Sequence, residues 1–184
     1  MTDRKVVLKM VLSLDGFATS PDGTHDWMFE FFGDDSAEWN LRALDEAGTH
    51  AMGRRSYEIM GPHWLASEGP IATYMNEKPK AVLSHTLEKA DWGPAEVFSD
   101  PGAAIADLKA RDDDGTILIH GGPTFARRIV KLGLVDEYQL SWVPVAIGAG
   151  LSPFADLDRH LKLDLVREQR FASGALGQIL VPRS

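Results

Sequence analysis

The sequence contains no cysteine. Disulfides, thiolate metal ligands and cysteine nucleophiles are thereby excluded. No apolar run approaches the ~18 residues of a membrane-spanning helix, so no membrane partner is expected. The opening stretch, "MTDRKVVLKMVLSLDG", has its apolar residues broken by Lys9 and carries no small-residue cleavage site. It reads as a first strand rather than a secretion signal, and a cytoplasmic location follows as the expectation. Excess positive charge is missing as well: 19 Lys and Arg stand against 27 Asp and Glu, a formal −8. With no basic patch working against that field, nucleic acid is not an expected partner, and an anionic ligand must be held by a few placed cations and backbone N–H groups. No two of the histidines, His25, His50, His63, His85, His120 and His160, stand three or four apart, which leaves no metal site to predict. The G-x-S-x-G elbow and the P-loop lysine are absent too, arguing against an α/β-hydrolase or a P-loop phosphoryl-transfer enzyme.

What is present is the composition of an ordinary globular protein, 44% hydrophobic and 25% charged, at a length that suits one domain spanning 1–184. Val6 to Leu14, "HAMG", "KAVLS", Glu96 to Ser99, "TILIH" and Glu137 to Val145 read as strands. Helices are expected from Asp34 to a stop at Gly48, over "RRSYEIMG" up to Gly61-Pro62, from Pro101 to Arg111, and along the apolar face Phe125, Ile129, Val130 and Leu132 up to Gly133. Pro62 to Pro79 reads as irregular. Leu163 to Phe171 and Ala175 to Pro182 alternate with period two around "ASG", as in a terminal antiparallel hairpin. Strands alternating with helices imply an α/β fold with a mainly parallel sheet covered on both faces and the hairpin at one edge. In such sheets ligands bind outside the carboxyl ends of the strands.

Three strand ends carry anion-binding chemistry. In "HGGPTF", Gly121 and Gly122 allow close backbone approach and the following helix aims unpaired N–H groups outward, a corner that suits a pyrophosphate or simply a tight turn. In "AMGRRSYEIMG", Arg54 and Arg55 open a helix, where cations oppose the macrodipole. A phosphate monoester gripped by guanidinium would compensate, as would a surface ion pair. In "KAVLSHT", Ser84, His85 and Thr86 stand at a third strand end.

The order of "SLDGFAT", "AMGRRSYEIMG", "KAVLSHT", "ILIHGGPTFARRIV", "VDEYQLSWVPVAIGAG" and the final hairpin resembles the dihydrofolate reductase superfamily, in the branch containing the reductase domain of the bifunctional riboflavin-biosynthesis deaminase-reductase. The resemblance spans nearly the whole chain. It implies a three-layer dihydrofolate reductase-like fold and NADPH as cofactor. Gly53, Arg54, Arg55 and Ser56 match the segment holding the adenosine-side phosphates, Ser84 a residue beside the 2′-phosphate, and Gly121, Gly122, Pro123 and Thr124 the pyrophosphate corner. Ser13 to Thr19 then run past the nicotinamide, which makes Ser13 and Gly16, with Trp27, the expected substrate pocket.

Asp15 and Asp26 flank the loop after the first strand and are the candidate proton donors, on condition that burial raises their pKa. The segment "HDWMFEFFGDD" offers no acidic residue in the register that folate-reducing enzymes use, while Trp27, Phe29, Phe31 and Phe32 could wall a flat heterocycle or form core. The expected activity is NADPH-dependent hydride transfer to a C=N or C=O carbon of a small, heterocyclic substrate. Its alternatives are a 5-amino-6-(5-phosphoribosylamino)uracil reductase-type or dihydrofolate reductase activity and a non-catalytic nucleotide-binding module. A homodimer is expected, from the habit of stand-alone relatives and from apolar residues around Leu140 and Trp142.

Overall fold

The computed structural model describes residues 4–183. One eight-stranded sheet organises them: β1 (Val6–Ser13), β2 (Ala47–Gly53), β3 (Lys80–Leu83), β4 (Ala95–Phe98), β5 (Thr116–His120), β6 (Glu137–Val143), β7 (Leu163–Arg170) and β8 (Leu176–Pro182). The order across it is β4-β3-β2-β5-β1-β6-β8-β7. Every pairing from β4 to β6 is parallel, and β8 joins β6 antiparallel with β7 outside it.

The helices α1 (Asp34–Glu46), α2 (Arg54–Leu65), α3 (Pro70–Glu77), α4 (Pro101–Ala110) and α5 (Pro123–Lys131) cover both faces. On one face, Val6, Leu8, Met10 and Leu12 of β1 pack with Ile105 and Leu108 of α4 and Phe125 and Ile129 of α5. On the other, Val7, Met52, Val82 and Leu118 meet Ala43 and Leu44 of α1, Tyr57 of α2 and Met75 of α3. Continuous apolar strands buried on both faces are what a parallel sheet requires. The result is the three-layer, dihydrofolate reductase-like architecture that the sequence predicts.

Local differences have identifiable causes. The helix expected to stop at Gly48 ends at Glu46, and Gly48 lies inside β2, where a Cβ would overlap the Asp114 carbonyl oxygen. Pro62 does not end α2, which runs on to Leu65, and a Cβ on Gly61 would come within 3.4 Å of Trp92. The stretch read as irregular contains α3, with Pro70 in its first turn, where a missing N–H costs nothing, and Gly69 before it at φ +101°. Asp26–Phe31 forms a 3₁₀ turn.

Candidate active site

The carboxyl ends of the parallel strands surround a cavity of about 730 Å³. Gly53, Arg54, Arg55, Ser56, Ser84, Gly121, Gly122, Pro123 and Thr124 all line it, so the three strand ends singled out in the sequence converge on one space. Its lining holds four cations, Lys9, Arg54, Arg55 and Arg128, and no carboxylate, in a chain of net charge −8.

At the glycine corner both residues are left-handed, Gly121 at φ +48° and Gly122 at φ +61°. This geometry turns the chain from β5 into α5 within two residues and leaves the N–H of each without a backbone acceptor among the described residues. A Cβ on Gly122 would come within 2.8 Å of Ser56 Oγ, so Ser56 sits against the corner. At the second strand end, Arg54 pairs with Glu58 one turn on, N–O 3.6 Å, and Arg55 Nη2 donates to the Asp22 carbonyl at 3.1 Å. A Cβ on Gly23 would collide with that guanidinium, so the loop after β1 closes tightly over Arg55. At the third, Ser84 Oγ accepts from the N–H groups of Thr86 (3.1 Å) and Leu87 (2.9 Å), shaping the turn that borders the cavity.

The residues expected on the substrate side are placed differently. Ser13 is fully buried; its hydroxyl donates to Asp15 Oδ1 at 2.6 Å and accepts from Phe17 N–H at 3.0 Å. Asp15 also accepts from the N–H groups of Ile147 and Gly148, at 3.2 and 2.7 Å. These donors, the Ser13 hydroxyl foremost, hold its carboxyl below the usual range, the opposite of the raised pKa on which its candidacy as proton donor depends. Asp15 ties the loop after β1 to the loop after β6, with Gly16 turning beside it at φ +84°. Neither these three residues nor Asp26, exposed at the start of the 3₁₀ turn, nor Trp27 lines the cavity. Trp27 and Phe31 pack on a small cluster around Trp39 and Phe171, while Phe29 and Phe32 pair edge to face at the surface.

The cavity lining away from the three strand ends instead includes Lys9, Val11, Ala18, Thr19, His25, Met28 and His120. Thr19 Oγ1 is buried with no hydrogen-bond partner. Lys9 stands in the middle of β1 and is in register with His120 of β5 on one side and Gln139 of β6 on the other. Two buried cations are satisfied by protein acceptors: Arg4 by Gly115 O, Leu108 O and Thr49 Oγ1, and Lys80 by Asn76 O and Lys78 O. Lys9 has none among the described residues, and desolvation pushes its pKa down to about 8. His120 Nε2 lies 2.9 Å from His50 Nδ1, and His50 Nε2 lies 3.2 Å from the Tyr74 carbonyl oxygen. Burial holds His50 down at about 4 and His120 well below the ordinary range, the latter also through the neighbouring His50 and Lys9 charges. In the sequence the one signal of these groups is a lysine interrupting an otherwise apolar central strand.

Residues able to hold a dinucleotide phosphate are therefore Arg54, Arg55 and Ser84 at one end and the Gly121–Thr124 corner with Ser56 in the middle. Lys9 and His120 line the cavity where a reacting group could be contacted.

The fold has close structural counterparts. A putative riboflavin biosynthesis protein from Shewanella sp. PV-4 superposes with a TM-score of 0.79 at 20% identity, covering 98% of this chain and 99% of that one. A dihydrofolate reductase from Enterococcus faecalis, complexed with NADP(H), superposes at 0.67 with 11% identity, covering 98% and 97%. By sequence the chain is 26% identical over 181 residues to the uncharacterized protein YyaP of Bacillus subtilis, covering 96% of this chain and 94% of that protein. It is 28% identical over 183 residues to the riboflavin biosynthesis protein RibD of Corynebacterium ammoniagenes, covering 92% of this chain and 52% of that protein. Residues 4–176 match the RibD C-terminal domain, and the chain belongs to that family.

Proposed function

We propose that this protein is an NADPH-dependent reductase of a small, polar, heterocyclic substrate. One observation carries the reading: a cavity at the carboxyl ends of the strands is lined by four cations and no carboxylate in an acidic protein. The Enterococcus faecalis neighbour of the same fold is complexed with NADP(H), and the Thermotoga maritima neighbour is a deaminase and 5-amino-6-(5-phosphoribosylamino)uracil reductase, of whose chain this one covers 57%.

In this reading Arg54, Arg55 and Ser84 hold the terminal 2′-phosphate, through charge-assisted hydrogen bonds that a 2′-hydroxyl cannot match. The free N–H groups of Gly121 and Gly122 and the N-terminus of α5 face the pyrophosphate. Bound NADPH supplies the hydride. The protein supplies position, exclusion of water and a proton. Lys9 fills the last role: an ammonium with a pKa of about 8 is poised for general-acid catalysis near neutrality. As the substrate carbon is reduced, its C=N or C=O π pair moves to the heteroatom, which takes a proton from Lys9 Nζ; the neutral amine is then reprotonated from water. A uracil-reductase-type substrate carries a ribose phosphate as well, and Arg128, the remaining cation of the lining, is the group to meet it.

Titration with NADPH and NADH tests the cofactor. Arg54→Ala should weaken NADPH by about tenfold or more and NADH much less, since one charged hydrogen-bond partner contributes roughly 1.5–3 kcal/mol. Equal losses would remove the 2′-phosphate assignment. NADPH consumption against pterins, aminouracils, quinones and small carbonyls tests turnover; tight binding with no oxidation across that panel would mark a non-catalytic nucleotide-binding module.

A further inference from the structure

The two buried histidines carry an assignment beyond the reductase reading. His50 is fully buried and His120 nearly so. A carbonyl oxygen only accepts, so the 3.2 Å contact between His50 Nε2 and Tyr74 O requires His50 to carry its proton on Nε2. Its Nδ1 is then a lone pair. The 2.9 Å contact from that nitrogen to His120 Nε2 must in turn be a hydrogen bond donated by His120. Neutral imidazole has one N–H, and His120 has spent it on His50.

His120 Nδ1 is left as a bare acceptor. Among the described residues it has no protein partner, nor does Lys9 Nζ, and neither belongs to the buried polar atoms sealed from solvent. Both residues line the cavity, so both groups open into it. Lys9 and His120 are in register on adjacent parallel strands, which sets their Cα atoms roughly 5 Å apart with side chains on the same face. The cavity floor thus presents an ammonium donor beside a fixed acceptor. His120 has no proton to give the cavity, which leaves Lys9 as the acid of this pair.

We propose that His120 Nδ1 is a specificity-determining acceptor, locked in that role by His50 as a positioning residue, and that with Lys9 it selects substrates whose C=O or C=N group is flanked by an N–H or O–H. Lys9 takes the carbonyl oxygen or imine nitrogen; His120 takes the neighbouring proton. Quinones and simple ketones, which lack the donor, leave the acceptor unpaired and are disfavoured. The selection of a substrate rests on the reductase reading. The acceptor assignment does not.

The test uses probes rather than turnover. In protein labelled with nitrogen-15 histidine, long-range proton–nitrogen correlation spectra should show His120 protonated at Nε2 and bare at Nδ1, and His50→Phe should lose that single form. 2-Pyridone, a flat lactam with N–H beside C=O, should shift the His120 Nδ1 resonance and bind about tenfold or more tightly than N-methyl-2-pyridone. In His120→Leu the preference should fall within about twofold, whereas Lys9→Met should weaken both probes alike. An Nδ1-protonated His120 in the unmutated protein would overturn the assignment, as would equal binding of the two pyridones. NADPH consumption enters neither readout, so the absence of reductase turnover would count against the proposed activity and not against the acceptor.

Discussion

Replacing Lys9 with methionine should raise stability and lower turnover together. Lys9 is a charge on the floor of a cavity with no protein acceptor among the described residues, and desolvation depresses its pKa from 10.5 to about 8. Between those values the unfolded chain holds a proton that the folded one has released, so stability rises with pH across that window. The penalty is fully present below about pH 8 and gone above about pH 10.5. A depression of this size corresponds to about 3 kcal/mol. Water in the open part of the cavity screens part of it, leaving about 2 kcal/mol for methionine, similar in length and uncharged, to recover at about pH 7. In a chain of this size that is a rise in Tm of roughly 4–8 °C. Urea unfolding of both proteins at about pH 7 and about pH 10.5 measures it; the gain should be confined to the lower pH. A methionine variant no more stable at neutral pH, or equally more stable at both, would refute the account of Lys9 as an uncompensated charge. NADPH consumption by the same variant should fall at least about a hundredfold, the typical contribution of a general acid.

Acidification should destabilise the protein as His50 and His120 are forced to accept protons. The folded pKa of His50 lies at about 4, below its ordinary 6.5, so stability is full above that ordinary value and falls by about 3 kcal/mol as pH drops through the window, with His120 acting in the same direction; denaturant midpoints unchanged between about pH 7 and about pH 4.5 would contradict this. Gly122→Val should lower Tm as well as cofactor affinity, because φ +61° costs a side chain roughly 1–2 kcal/mol and its Cβ would press on Ser56 Oγ at 2.8 Å. A variant melting within a degree of the parent would show that the corner can relax. Light scattering should find a mass near twice 20.2 kDa. Leu140 is buried within its own chain, so exposed Leu165 and Val166 on edge strand β7 are the residues for a second copy to cover, and Val166→Asp should disperse the dimer.

The parts of the site legible in the sequence are those that the backbone dictates. Two consecutive left-handed residues admit little but Gly121-Gly122, and two arginines at a helix start are conspicuous because they oppose the local dipole. Lys9, His50 and His120 escaped such reading because their meaning is tertiary. Nothing near Lys9 in the chain says that His120 will stand beside it, and nothing near His50 supplies the Tyr74 carbonyl that fixes its tautomer. The anchoring of Asp15 is tertiary in part as well: beside the neighbouring Ser13 hydroxyl, the N–H groups of Ile147 and Gly148 that hold its carboxyl below the usual range come from the far end of the chain. For α3 the misleading signal is local, since a segment with Gly and Pro near both ends reads as irregular, whereas Pro70 inside it opens a helix.

The register of β1 has a consequence for how the molecule is made. Val6 pairs with Ile117 and Val7 with Glu137, so β1 stays open on both edges until residues more than a hundred positions further along have left the ribosome. Through that interval an apolar segment is available to chaperones and to other nascent chains. Lys9, His50 and His120 arrive from three strands that meet only when this gap closes. A partly folded chain therefore lacks this cavity floor, and any small molecule that binds Lys9 and His120 there favours the last step of assembly, raising the yield of a destabilised variant in the cell.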